Sequence, residues 1–188
     1  MVASHEPHEI IRENADDGVI LLRSAYEMPA PARRTLDWLA DWAERTPAAV
    51  FLAERSGPGW REVTYGEAQG QVTALAAALL ERGLGPDRPL MIISGNGVDH
   101  GLLTLAAQTI GAPVVPVAEQ YALIPGAERH LDDIGSRVRP GAVFAVDGDK
   151  FGAALTRDVF EDAEKIASTP GVSGATARAF SITRGRCV

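Results

Sequence analysis

The sequence has 188 residues, 46% apolar and 23% charged, the make-up of a globular chain with room for one domain or one and a half. Its net charge of −7, with 18 basic residues scattered and no basic stripe, excludes a nucleic-acid binder. The single cysteine, Cys187, excludes an internal disulfide and fits a reducing compartment.

The first 17 residues carry five acids against one base, and no apolar segment of an export signal follows. A cytoplasmic location is therefore expected. Residues 1–30 read as a leader and connector with one extended run, GVILLRS, followed by the Pro-rich MPAPARR. His5 and His8 belong to this acidic leader as solvated side chains.

A helix is predicted over 34–46, RTLDWLADWAERT, with Leu36, Leu39, Trp38 and Trp42 on one broad face and Pro47 as its stop. The two tryptophans are expected in the core or on a docking face. AVFLAE and WREVT, joined through SGPG, read as a hairpin. Thr64-Tyr65-Gly66-Glu67 has the pattern of a capping box. The helix it opens, over 65–82, places Val72, Leu75, Ala76, Leu79 and Leu80 on one face, and Gly83, Gly85 and Pro86 close it.

From Leu90 strands and helices alternate. PLMIIS and APVVPV read as buried strands, with a helix over 98–110 between them. GAERHLDDIGSRV reads as a helix and AVFAV as a third strand, closed by Asp147-Gly148. Two β-α-β units in series predict an α/β fold, with a parallel or mixed sheet and helices on both faces. The stretch from there to Ala167 reads as helical. Residues 168–188 hold no acid, three arginines and nine Ser, Thr or Gly, so an unstructured tail is expected. The apolar stretches are broken by Gln108, Gly111, Pro113 and Pro116, too early for a membrane span. The histidines form no ligand-spaced cluster, so no metal site is predicted.

One segment, SGNGVDHG at 94–101, raises the question of phosphate binding. Gly95, Gly97 and Gly101 follow a strand and open a helix, and glycine permits positive φ and close approach of backbone N–H groups to a pyrophosphate. Glu119, some 20 residues on, could bind a ribose hydroxyl, as in dinucleotide folds. Against this, the third glycine comes one residue late for G-x-G-x-x-G, and about 90 residues precede the motif. Asp99 in the first helical turn would also repel phosphate while stabilising the helix dipole. His100 near that helix start packs or caps. Tyr121 lines a cleft beyond the strand ends or is a core aromatic.

A second reading comes from likeness. In order, DGVILLRS, ERTPAAVFLAER, WREVTYGEAQGQVTALAAALLERGLGPDRPLMIISGN, HGLLTLAAQTIGAPVVPV, Tyr121-Ala122-Leu123 and RPGAVFAVDG resemble the N-terminal region of the adenylate-forming acyl-CoA synthetases, above all the feruloyl-CoA synthetases. The resemblance runs from Asp17 to about Leu155. It implies that residues 31–167 form an N-terminal subdomain of that type. The family uses ATP and Mg²⁺ to make an acyl-adenylate and then passes the acyl group to coenzyme A (CoA), with aryl or hydroxycinnamic acids as substrates for this branch. Its phosphate loop ends in Gly-x-Pro-Lys. The nearest approach here, Ser173 to Arg178, lacks the second glycine, the proline and the lysine. No catalytic residue is therefore assigned, the chain is expected to be truncated and inactive alone, and no cofactor is expected on it by itself. The resemblance places Ala118, Glu119 and Gln120 near CoA, although an acid at 119 is poorly suited to CoA phosphates. Two other readings stand beside it: a nucleotide- or CoA-binding module without catalysis, and a partner, of itself or of a chain carrying the missing domains.

Overall fold

The computed structural model describes residue 7, residues 9–28 and 30–169, and the backbone of 178 and 179. His5, His8, Cys187 and most of the predicted tail lie outside the described residues. The chain divides into two compact units, residues 1–33 and 34–188.

The first unit is a hairpin. Strand β1 (Ile10–Asn14) pairs antiparallel with β2 (Ile20–Ser24), Ile10 opposite Ser24 and Asn14 opposite Ile20. The turn is made by Asp17, whose carboxylate accepts the Val19 N–H at 3.1 Å, and by Gly18 at φ +83°, a conformation that glycine adopts without a Cβ clash. The run GVILLRS thus acquires a partner, IIREN, which charged residues hid from the sequence reading. A Glu13–Arg23 ion pair at 2.7 Å ties the two strands.

In the second unit, helix α1 (Thr35–Arg45) is followed by a hairpin of β3 (Val50–Ser56) and β4 (Gly59–Thr64) and by α2 (Tyr65–Glu81). The capping box is complete. Glu67 N–H donates to Thr64 Oγ1 at 3.3 Å, and the Thr64 N–H donates to the Glu67 carboxylate at 2.9 Å. That backbone bond, then the Thr64 hydroxyl, holds the Glu67 carboxyl below the usual range. Thr64→Ala is expected to cost about 1 kcal/mol, the typical loss of an N-cap side chain. Urea denaturation checks this; an unchanged midpoint would mean that the helix start is fixed by packing alone.

The core lies on both faces of a parallel sheet. Strands β5 (Leu90–Ile92), β6 (Val114–Pro116), β7 (Ala142–Asp147), β8 (Glu164–Thr169) and β9 (Arg178–Ala179) lie in the order β6-β5-β7-β8-β9. Every neighbouring pair is parallel, with Ile92 beside Phe144 and Phe144 beside Ile166. Alternate side chains point to opposite faces. Leu90, Ile92, Ala142 and Phe144 pack with α2 and with α3 (Val98–Thr109), while Met91, Ile93, Val143 and Ala145 pack with Leu131, Phe151 and Phe160. Leu131 belongs to α5 (Glu128–Val138), which follows a short helix α4 (Gln120–Leu123). Burial on two faces is why these strands read as unbroken apolar runs. The predicted α/β fold, with a parallel sheet between helices, is the fold observed.

Of the two places expected for Trp38 and Trp42, the core is excluded: 59% and 45% of their surface is exposed, while Leu39 and Ala43, one position along the helix, are buried. Three expectations need correction. Leu80 also faces solvent. The stretch up to Ala167 is not helical. It contains one turn of helix, α6 (Gly152–Leu155), a 3₁₀ turn at Asp158–Phe160, and then strand β8. Ile166 and Ala167 supply buried side chains to the sheet, and pairing with β7 satisfies the backbone. The tail boundary at 168 moves for the same reason: Ser168 and Thr169 complete β8, and the backbone of 178 and 179 pairs with it as β9.

Candidate functional site

The chain leaves β5 through α3 on one face of the sheet, and leaves β7 through α6 and the 3₁₀ turn on the other. The two connections part above the carboxyl ends of β5 and β7. In open α/β sheets this switch point is where a ligand-binding crevice forms. A cleft of about 160 Å³ sits there, lined by the Ser94–Gly97 turn, Glu54, Asp99, His100, Glu119, Phe144 and Val146. A more open groove of about 370 Å³ continues from the same turn along Pro116 to Gln120.

A charge cluster closes one side. Glu54 and Arg61 face each other across the β3–β4 hairpin and pair at 2.8 Å. The same guanidinium donates to Asp99 Oδ1 at 2.6 Å, and Ser168 Oγ donates to the other Asp99 oxygen. Asp99 is only 4% exposed. Burial alone would lower the Arg61 pKa, but hydrogen bonds and charge from Asp99, then Glu54, outweigh it and hold the guanidinium above its ordinary value. The second Glu54 oxygen accepts the Val98 N–H at 2.9 Å, so this carboxylate occupies the start of α3.

That contact answers the phosphate question raised by SGNGVDHG. The anion position at the helix start is held by the protein's own carboxylate, with a second one, Asp99, a residue further on. Two carboxylates against one guanidinium leave the turn without spare positive charge for a phosphate. The glycines serve close approach rather than left-handed backbone. Neither Gly95 nor Gly97 has a positive φ. A Cβ on Gly97 would stand 2.6 Å from Glu54 Oε2, and one on Gly101 3.2 Å from Leu52 Cδ1. Glycine at 97 and 101 therefore lets the β3 side chains reach α3.

Of the residues singled out in sequence, His100 lines the cleft with Nδ1 3.4 Å from the Gly95 carbonyl, a contact within its own turn. Tyr121 is half-buried against the core of the α5 face and lies 5.0 Å from His130, ring to ring, so it is the core aromatic of the two alternatives. Ala118 and Gln120 are exposed on the open groove. Glu119 joins the groove to the cleft, and Lys150 Nζ, beyond the carboxyl end of β7, stands 3.9 Å from its carboxylate. Lys150 is placed by a turn in which the Asp147 carboxylate accepts the N–H groups of Asp149 and Lys150, both at 2.9 Å. Ser94 Oγ is buried with no partner among the described residues. The sequence reading missed Glu54, Arg61 and Ser168. A signal existed for the first two: the hairpin turn sets the register that puts them opposite each other.

Three comparisons bear on this site. A family model described as AMP-binding enzyme matches residues 39–174. The chain is 29% identical over 130 residues to the PKS-NRPS hybrid synthetase psoA of Aspergillus fumigatus, covering 68% of this chain and 3% of that protein. It is 34% identical over 92 residues to tyrocidine synthase 3 of Brevibacillus parabrevis, covering 48% of this chain and 1% of that protein. Among solved structures, the fatty acyl-adenylate ligase from L. pneumophila, in complex with acyl adenylate and pyrophosphate, superposes with a TM-score of 0.59 at 17% identity. That match covers 72% of this chain and 23% of the ligase. The Klebsiella oxytoca NpsA N-terminal subdomain, in complex with 3-hydroxybenzoyl-AMSN, superposes with a TM-score of 0.55 at 21% identity, covering 73% and 30%. At these identities the structural likeness is one of fold.

Proposed function

The chain belongs to the AMP-binding enzyme family, and from that premise we propose that it is the N-terminal portion of an AMP-forming acid–CoA ligase of the feruloyl-CoA synthetase kind, acting on aryl or hydroxycinnamic acids. The observation that carries the proposal is the family match over 39–174, together with the ordered motifs from DGVILLRS to RPGAVFAVDG. In this reading the 188 residues are not catalytic by themselves. They hold no Gly-x-Pro-Lys loop. The cleft does not fit a polyphosphate with Mg²⁺, because Glu54 already takes the Val98 N–H and Asp99 and Glu119 add negative charge. Among the described residues, no group of three His, Cys, Asp or Glu could hold a metal ion. Adenylation then depends on a further segment, or a separate chain, that brings the phosphate loop and the domain that closes on it.

For CoA the proposal is narrower. Ala118, Glu119 and Gln120 form the edge along which CoA passes, and among the described residues Lys150 supplies a cation beside them, offset by Glu119 at 3.9 Å. The chain's own residues here bind and orient; they move no proton.

Two measurements test this reading on the purified chain. Incubation with ATP, Mg²⁺, CoA and ferulate is expected to give no thioester above background; a thioester would overturn the claim that the chain is inactive alone. Titration with CoA is expected to shift the amides of 118–120, and Glu119→Gln is expected to tighten that binding severalfold by freeing Lys150 from its acid partner. Unmoved amides, or a variant that binds no better, would sink the assignment of this edge to CoA.

A further inference from the structure

At the other end of the sheet, where the strands begin, lies a groove of about 580 Å³ that the ligase reading leaves without a role. Its floor is uncharged: Gly135, Pro140, Val159 and Ala163. Its charged rim is Arg88, just before β5, Arg139, just before β7, and one acid, Asp162, just before β8. Among the described residues, Arg23, Arg34, Arg45, Arg61, Arg137 and Arg157 each pair with a carboxylate. Among the described residues, the Arg88 and Arg139 guanidinium groups have neither a hydrogen bond nor an ion pair.

Both arginines are also held in place by the backbone. The Arg88 side chain lies along Gly141, where an added Cβ would meet its Cβ and Nε at 2.9 Å, and its Nη1 lies 3.5 Å from where a Cβ on Gly83 would stand. Two residues without side chains thus make the bed for one guanidinium. Arg139 ends α5 at φ 48° and ψ 63°, and is the one non-glycine residue with positive φ among the described residues. Glycine or asparagine ordinarily fills this position, because a Cβ there is strained. Pro140 follows directly and further restricts residue 139. The fold tolerates a strained arginine where glycine would be easier.

We propose that this groove binds a small phosphate monoester, with Arg88 and Arg139 as ligands to the phosphate and the uncharged floor beneath its organic part. The planar guanidinium fork matches a phosphate in two parallel hydrogen bonds. Two such groups outweigh the one acid on the rim, and the volume is in the range of small-molecule sites. The site is distinct from the cleft at the carboxyl ends and does not depend on the ligase reading.

The test is an amide NMR titration of the full chain with phenyl phosphate, with inorganic phosphate and benzoate run in parallel. Phenyl phosphate is expected to give saturable shifts at Ser136, Arg139 and Gly141. Arg88→Gln is expected to weaken it at least tenfold, and Arg55→Gln, whose guanidinium lies over the Trp60 ring in the β3–β4 hairpin, less than twofold. Arg139→Gly separates binding from fold: it removes the guanidinium and relieves the backbone, so melting temperature holds or rises while affinity falls at least tenfold. A drop in melting temperature with affinity unchanged would reduce Arg139 to a cation at a helix end, and overturn the proposal. So would the absence of saturable shifts, or benzoate binding as tightly as phenyl phosphate. Inorganic phosphate binding as tightly would overturn the assignment to a monoester.

Discussion

Arg61→Met lowers the free energy of unfolding by about 3 kcal/mol, the lower end of the range for removing one partner of a buried ion pair. The reason lies with Asp99, whose side chain keeps only 6% of its exposure, against 30% for Arg61. Methionine fills much of the volume of the arginine stem but leaves Asp99 with Ser168 Oγ as its remaining side-chain donor among the described residues. Glu54 loses its cation as well, yet keeps the Val98 N–H and partial access to water. Water reaches the guanidinium and already screens part of the attraction, which keeps the loss at the lower end. Urea denaturation measures the loss. Adding Asp99→Asn to the same chain is expected to recover at least half of it, since a neutral amide does not need the guanidinium. A loss under 1 kcal/mol, or no recovery, would mean that Asp99 is solvated.

Phe144→Ala is expected to cost about 3–5 kcal/mol, the range for truncating a buried aromatic ring. Phe144 sits in β7, flanked by Ile92 of β5 and Ile166 of β8, and is 1% exposed. Its ring packs in the core beneath α2 and α3 and also lines the cleft. The backbone around it is fixed by pairing on both sides, so the void cannot close by a strand shift. Phe144→Leu, which keeps most of the volume, is expected to cost less than about 1.5 kcal/mol. Chemical denaturation of the two variants checks the contrast. Equal losses would place the cost in the strand itself rather than in the ring.

Where local signals agreed with tertiary needs, the sequence was a good guide. The capping box at Thr64 and the alternation from Leu90 to Val146 rest on local hydrogen bonding and on two-faced burial, and both survive in the fold. The failures have physical causes. Trp38 and Trp42 share a helical stripe, and periodicity weighs a large residue more than Ala43, yet Ala43 is the buried one, while Trp42 stacks on Tyr65 at the start of α2 with much of its surface exposed. Strand β8 opens with Glu164 and Lys165 and buries Ile166 and Ala167, too short a signal to separate a strand from a helix. At the site, SGNGVDHG pointed to the right turn for the wrong reason. Its glycines are spaces for side chains arriving from β3, and a single-stretch motif carries no trace of what arrives. Glu54 and Arg61 were legible as a cross-strand pair; Ser168, 69 residues beyond Asp99, was not.

That distance has a consequence for the order in which the protein can be built. Asp99 takes one partner from 38 residues earlier in the chain and another from 69 residues later. During synthesis from the N-terminus, the hairpin and α3 can meet as soon as both have emerged, and Arg61 is then in place. The last donor arrives only with β8, which must first find the exposed edge of β7. Until then a half-closed knot of charge and an open sheet edge coexist, and closing a loop of that length is a slow event compared with forming the local elements. The arrival of Ser168 ends that interval, so one strand both covers the edge of β7 and brings the last donor to Asp99.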